Sequence, residues 1–327
     1  MLHHDSELFS QAIIAASQSL GIDSGIIEKD YYVTMFLRSL VKKQPQIIFK
    51  GGTSLSKCHK TIKRFSEDID LNLECENHPT EGQRRRLKDS IVSVIEEFEL
   101  SLTNAESIRS RRDFNKYVID FPTVFESMPL KQYLIVETSV FIRSYPSQRM
   151  TASCFIYDYL KQVERDDIIK QFSLEPFDLN VQSIERTFID KLFAVGDYYL
   201  DGHITEHSRH LYDLYKISSV INIDESLREL LNQVREDRRN HPACHSAQDG
   251  VNLRKLLQEV IDRRAYEADY KNITSALLFE DVSYEKAISS LQTIINSELL
   301  IESDSLYEGL CGVYQGQHGF GADRAKT

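Results

Sequence analysis

Apolar positions recur along this chain first at helical spacing, then at strand spacing, then at helical spacing again. In "SELFSQAIIAASQSLG" Leu8, Ile13 and Leu20 mark one face, and Gly21 is the residue type that closes a helix. Asp23 or Ser24 can cap a second helix, "IIEKDYYVTMFLRSLV", with Ile27, Tyr31, Phe36 and Leu40 on its apolar side and Glu28, Lys29 and Asp30 in its first turns. After Pro45 the pattern shortens to "QIIF", which suits a buried strand. Residues 53–62 return to helical spacing through Leu55, Cys58 and Ile62. "DIDLNLEC", residues 68–75, alternates strictly, so Ile69, Leu71, Leu73 and Cys75 share one face and Asp68, Asp70, Asn72 and Glu74 the other. An amphipathic helix is predicted over 81–100, with Leu87, Ile91, Val94, Ile95 and Phe98 inward, and strands in "YVIDFP" and "QYLIVETSVFIRSYP". The pattern is weak from there to about residue 176.

Beyond that point the spacing is helical throughout. Ser183 can cap "IERTFIDKLFAVGDYYL", a second helix runs through "RHLYDLYKISSV", and further helices are predicted near 225–236, 250–273 and 283–299. The Gly-rich, polar end of the chain reads as an irregular tail over 306–327. The expected organisation is α+β: residues 1–175 form a core with N-terminal helices and a small mixed sheet, and 176–305 form a helical domain that completes a site.

Composition narrows the classes. The 327 residues are 41% hydrophobic and 27% charged, which is the make-up of a folded globular chain. A net charge of −11 argues against nucleic-acid binding over the whole surface but leaves room for a local basic rim, such as Lys60, Lys63 and Arg64. Five scattered cysteines without a CxxC pair speak against a disulfide framework or a zinc ribbon. The N-terminus lacks the pattern of a signal peptide, and no apolar stretch is long enough to span a membrane, so the expected compartment is the cytoplasm.

Candidate chemistry lies in "IIFKGGTSLSKCHKTIKRFSEDIDLNLE". Gly51 and Gly52 stand between a strand and a helix, where a side-chain-free backbone can approach a phosphate and the free N–H groups near Thr53 favour an anion. Asp68 and Asp70, at i and i+2 of a strand, project to one side about 7 Å apart. Two carboxylates so placed can share a hard cation such as Mg²⁺ or Mn²⁺. Each element alone also fits a plain turn and a solvated strand edge. Together they supply what metal-assisted nucleotidyl transfer needs, a phosphate-holding turn beside ion-holding carboxylates. Glu137, the lone acid in "YLIVETSVFI", is the candidate third metal ligand, with a hydrogen-bonded structural role as the alternative. Asn72 and Glu74 read as surface residues.

Four segments carry a resemblance. "FKGGTSLSK…RFSEDIDL" resembles the first motif of the AbiEii-type nucleotidyltransferase toxins, which belong to the DNA polymerase β-like nucleotidyltransferase superfamily. "EKDYYVT", "ERTFIDKLFAV" and "SRHLYDLYKI" resemble three further segments of that family in the same order. Where the family helix usually carries Glu, this chain has Asp190, and Tyr32 stands where Trp is common. The resemblance implies a polymerase β-like core followed by a helical domain. It implies that Gly51, Gly52 and Thr53 hold nucleotide phosphates with Lys57 near by, and that Asp68 and Asp70 bind Mg²⁺. It further implies that Lys191 contacts the phosphates and that Asp213 completes the pocket. A Lys191–Asp213 or an Arg209–Asp190 ion pair would serve as structure at the same positions.

The function so implied is Mg²⁺-dependent transfer of NMP from an NTP to an acceptor, an RNA such as a tRNA 3′ end or a protein. The protein would be the toxin of a toxin–antitoxin or abortive-infection pair, with a cognate antitoxin as partner. The alternatives are a non-catalytic nucleotide-binding interaction module and a metal-dependent kinase or phosphohydrolase. "HPACHS" (His241, Cys244 and His245) lacks zinc spacing, and the basic runs 84–88 and 109–116 read as solvated faces.

Overall fold

The computed structural model describes residues 1–66, 68–75, 78–125, 132–239 and 241–301. Glu67, Cys311 and the tail over 306–327 lie outside the described residues. Two capped helices open the chain. In α1 (Ser6–Leu20) the Asp5 side chain accepts from Leu8 N–H, and Gly21, at φ 67°, closes the helix in the left-handed region. Asp23 caps α2 (Ser24–Lys43) through Gly25 N–H. Strand β1 (Ile47–Lys50) then runs into the short, roughly two-turn α3 (Gly51–Lys57), and β2 spans Asp68–Leu73. Helix α4 (Glu81–Glu97) starts on a reciprocal capping box between Thr80 and Gln83.

The remaining strands are β3 (Ser101–Leu102), β4 (Phe114–Asp120), β5 (Tyr133–Ser139), β6 (Ser147–Ala152) and β7 (Phe177–Gln182), with α5 (Phe155–Gln162) and α6 (Asp166–Gln171) between the last two. They form one seven-stranded mixed sheet in the order β3-β4-β5-β2-β1-β7-β6. The β1–β7 and β2–β5 pairs are parallel, the others antiparallel. The sheet is therefore larger than the small one expected. Strand β6 falls where the sequence pattern was weak, and β7 lies in the stretch read as helical beyond residue 176, so the change to an all-helical chain comes after Gln182. β6 escaped notice because it is an edge strand of mostly exposed polar residues, "SQRMTA". The helix expected over 53–62 stops at Lys57.

Alternation on the central strands divides the two sides of the sheet. Ile47, Phe49, Ile69, Leu71 and Val136 join α1, α2, α4 and α5 in a first apolar core. The residues between them face the helical half. That half comprises α7 (Ile184–Leu200), α8 (Arg209–Ser218), α9 (Glu225–Arg239), α10 (Leu253–Asp262) and the helix Tyr284–Asn296, around a second core that also takes in Leu55, Ile62 and Ile142. A short backbone tie joins the halves: Phe65 N–H donates to Leu277 and Phe279 N–H to Lys63. No described helix is long and apolar enough to cross a membrane, and the four described cysteines are unpaired.

The charged residues at the start of α2 belong to this framework. The Glu28 carboxylate, almost fully buried, accepts from Val124 and Phe125 N–H at 2.8 and 3.0 Å. Asp30 accepts from Phe155 N–H at 2.9 Å and pairs with Lys57.

Candidate active site

Strand register places four charged residues in one row across the sheet, two carboxylates flanked by two lysines. Lys50 on β1 lies opposite Asp70 on β2, Asp70 beside Glu137 on β5, and Glu137 opposite Lys116 on β4. Directly paired residues point to the same face, so all four side chains rise toward the helical half. Lys116 Nζ lies 3.1 Å from Glu137 Oε1. Asp68, two residues before Asp70, has one oxygen 3.7 Å from Arg209. Its other oxygen, Oδ1, is buried and has no hydrogen-bond partner among the described residues.

Burial, with Glu137 and Asp68 beside it, pushes the Asp70 carboxyl up from 3.8 to about 7. The glycines are explained by what stands against them. Gly51 has φ 75°, and a Cβ on it would lie 1.9 Å from Asp70 Oδ2. A Cβ on Gly52 would lie 2.6 Å from Arg64 Nη2 and 2.7 Å from Ser66 Oγ. The turn is thus glycine-rich because the acidic strand and the Arg64 loop pack directly onto it. The neighbouring hydroxyls are also committed within the fold: Thr53 Oγ1 donates to Asp68 O at 2.6 Å, and Ser54 Oγ to Gly51 O at 2.8 Å.

A cleft of about 420 Å³ opens above the row, between the sheet and α7–α9. Its lining includes Lys50, Gly51, Asp70, Arg186, Asp190, Lys191, Tyr198, His210 and Arg238. That volume is in the range of small-ligand sites. Asp190 ties down two of the cations, Arg186 at 3.2 Å and Arg238 at 3.1 Å, while Arg238 also reaches Asp197 at 2.9 Å. Tyr198 stacks on His207 with centroids 3.5 Å apart, and His210 lies parallel to both.

Behind the cleft wall stands a fully buried ion cluster. Arg64 grips Asp213 with Nε and Nη2, both at 2.7 Å, and Lys191 Nζ lies 2.6 Å from Asp213 Oδ2. Burial alone would raise the Asp213 carboxyl, but Arg64 and Lys191 together hold it well below the usual range. Burial lowers the Lys191 ammonium against the opposing pull of Asp213, and lowers Lys50 against that of Asp190 and Asp70.

The structure sorts the sequence candidates. Gly51, Asp70 and Lys191 line the cleft. Asp68 and Glu137 flank Asp70 on the same face. Gly52 and Thr53 shape the turn from within. Asp213 sits behind the wall and acts on the cleft through Lys191. Lys57 faces away: its ammonium is buried against Asp30 and Thr34, beside a separate cavity of about 200 Å³ on the far side of α3. Asn72, read as surface, is buried, and its Nδ2 donates to Ile142 O and Ser144 Oγ, both at 2.7 Å. Of the two alternative ion pairs, Lys191–Asp213 is present. Arg209 goes to Asp68 instead of Asp190. His241 stacks on Phe141 and His245 pairs with Asp201, so "HPACHS" gathers no ligand set. Arg64, expected in a basic rim, is instead buried against Asp213. Sequence reading missed Lys50, Arg186 and Arg238. Of these only Lys50, directly before Gly-Gly at a strand end, carried a local signal.

Among the described residues no three His, Cys, Asp or Glu side chains stand close enough together to enclose a metal ion as they are oriented here. The donor set still fits a hard cation: three carboxylates on one face, one with a buried oxygen lacking a partner and one whose proton is held up to about pH 7. Glu137 is turned toward Lys116 and would have to exchange that partner to join them.

Three comparisons bear on identity. No curated protein matches the chain significantly. The solved structure of the nucleotidyltransferase toxin MenT4 from Mycobacterium tuberculosis superposes with a TM-score of 0.51 at 17% identity, covering 92% of this chain and 93% of that one, which shows a shared fold. The family described as nucleotidyl transferase AbiEii toxin, type IV toxin–antitoxin system, matches residues 35–295, a span that holds the charged row, the cleft and the buried ion cluster. On that match, the chain belongs to the AbiEii nucleotidyltransferase toxin family.

Proposed function

We propose that this protein is a Mg²⁺-dependent nucleotidyltransferase that moves NMP from an NTP to a hydroxyl acceptor, an RNA such as a tRNA 3′ end or a protein side chain, and that it acts as a toxin restrained by a cognate antitoxin. The observation that carries the reading is the row in which Asp70 stands between Glu137 and Lys50 at the floor of the cleft, with Asp68 Oδ1 unpartnered beside it. In the reaction the acceptor oxygen bonds to the α-phosphorus while the bond from that phosphorus to the α–β bridging oxygen breaks. Pyrophosphate leaves, and the acceptor proton passes to water. Asp68, Asp70 and Glu137 would hold Mg²⁺ or Mn²⁺, which when bound supplies charge neutralisation on the phosphates and acidifies the acceptor hydroxyl. Lys191, fixed by Asp213, presents a preorganised cation to the phosphate chain. Arg186 and Arg238, braced by Asp190, keep the opposite wall positive.

Incubation with each α-labelled NTP, Mg²⁺ and either total RNA or total protein tests the reading. The expected result is label on one acceptor class with release of pyrophosphate. Release of free phosphate, transfer of a γ-label, or NTP binding without transfer to either class would overturn it.

A further inference from the structure

Four cations line the cleft: Lys50, Arg186, Lys191 and Arg238. Three are already held by carboxylates at hydrogen-bonding distance. Arg186 and Arg238 are tied to Asp190, and Lys191 to Asp213. Lys50 differs. It feels Asp190 and Asp70 through space, yet among the described residues neither a hydrogen bond nor an ion pair ties down its ammonium. The side chain is half-buried and opens into the cleft. It leaves the end of β1 on the same face as Asp70, one residue before the left-handed Gly51 that lets the backbone turn under the acidic strand.

Placing a desolvated ammonium where nothing of the protein's own binds it is costly unless a ligand meets it. The carboxylate beside it, Asp70, belongs to the proposed cation site, and the other cleft anions are taken, Asp190 and Asp197 by the two arginines and Asp201 by His245. Among the described residues no anion reaches hydrogen-bonding distance of Lys50, which lines the cleft on the side of Asp70 away from Glu137. Lys116, at the other end of the row, cannot substitute, because it is paired with Glu137.

We propose that Lys50 binds the phosphate chain of the nucleotide directly and neutralises the β- and γ-phosphates that leave as pyrophosphate. This inference rests on the nucleotidyl-transfer reading above and adds to it a residue that touches the leaving group. Lys191 and Lys50 then close on the chain from opposite sides, one from the helical half and one from the sheet.

The test uses inorganic tripolyphosphate with Mg²⁺ as the probe. In Lys50→Met, which keeps length and removes charge, the dissociation constant for tripolyphosphate should rise at least roughly 10-fold, the scale of a lost charge-assisted hydrogen bond. Affinity for a nucleoside monophosphate should change less than about 2-fold, and Lys50→Arg should recover most of the loss. A melting curve certifies that each variant is folded. A second measurement needs no variant. In the wild-type protein, acylation of Lys50 by a small lysine reagent, followed by peptide mass spectrometry, should slow by at least about 5-fold in saturating tripolyphosphate. Wild-type affinity in a folded Lys50→Met protein, or an unprotected Lys50, overturns the proposal while leaving nucleotidyl transfer intact. If the wild-type protein binds neither tripolyphosphate nor any NTP, the nucleotide reading itself fails.

Discussion

Two aspartates in this molecule are both penalised by burial and end in opposite states. Asp213, fully enclosed between α7, α8 and the Arg64 loop, has two cations within 2.7 Å and is held ionised. Asp70, on the sheet, has two other carboxylates beside it and no cation at ion-pair distance among the described residues, and its carboxyl rises to about 7. Burial penalises the charge of both, so partners decide the outcome. Asp213 is a completed piece of structure that aims Lys191. Asp70 is an incomplete one, and on the proposed reading a metal ion would complete it.

The sharpest way to break the comparison is to neutralise each aspartate in turn. Asp70→Asn should lower the rate of labelled NMP transfer by roughly 10³-fold or more, since on the proposed reading it removes a metal-holding charge, while circular dichroism remains native. A protein that still transferred at the wild-type rate would remove Asp70 from the chemistry. Asp213→Asn should act on the fold instead. It leaves Arg64 and Lys191 buried without their counter-charge and should cost about 3–5 kcal/mol of stability in urea unfolding. A loss below about 1 kcal/mol would mean that the buried cluster does not tie the two halves together.

Acidity separates the two sites by sign. The folded Asp70 carboxyl keeps its proton up to about pH 7, whereas its ordinary value is 3.8. Between these values the folded state binds more protons than the unfolded one, so the metal-free protein loses stability as pH rises through that window. The difference in melting temperature between wild type and Asp70→Asn should therefore widen from about pH 5 to about pH 8 and shrink when Mg²⁺ is added. Asp213 runs the other way. Its depressed carboxyl contributes stability that is present above the ordinary aspartate range and is lost as pH falls through its folded value. A wild-type pH profile identical to that of Asp70→Asn would count against the raised carboxyl.

Smaller effects test the surroundings of the row. Asn72→Ala should cost about 1–3 kcal/mol, because Ile142 O and Ser144 lose a buried donor. Lys116→Ala should change stability by less than about 0.5 kcal/mol, since its pair with Glu137 is partly exposed. A large loss in the second variant would make the Lys116–Glu137 pair structural and weaken Glu137 as a metal ligand.

The sequence was most readable where a side chain's role is set by its immediate neighbours. Strict alternation in 68–75 identified β2 and put Asp68 and Asp70 on one face, because a strand's pleat has period two whatever packs on it. Capping residues placed α1, α2 and α7 for the same local reason. Alternation also put Asn72 on the acidic face, but it could not tell that this stretch of the face runs under Ile142 and Ser144 instead of water. The resemblance put Thr53 at the phosphates, yet its hydroxyl is used by Asp68 O.

What the chain order alone determined is the set of parts: the acidic strand, the glycine turn, the helix of Lys191, the helix of Asp213 and the family to which they belong. What only the tertiary structure decided is their pairing. Lys50, Asp70, Glu137 and Lys116 form a row because β1, β2, β5 and β4 happen to be neighbours in that register, a relation between residues up to 87 positions apart that leaves no periodic trace. Arg64 meets Asp213 across 149 positions for the same reason. Local geometry fixes which way a side chain points. Which charge it meets, and so whether it is a strut or a site, depends on contacts that exist only once the sheet and the helical half have closed on each other.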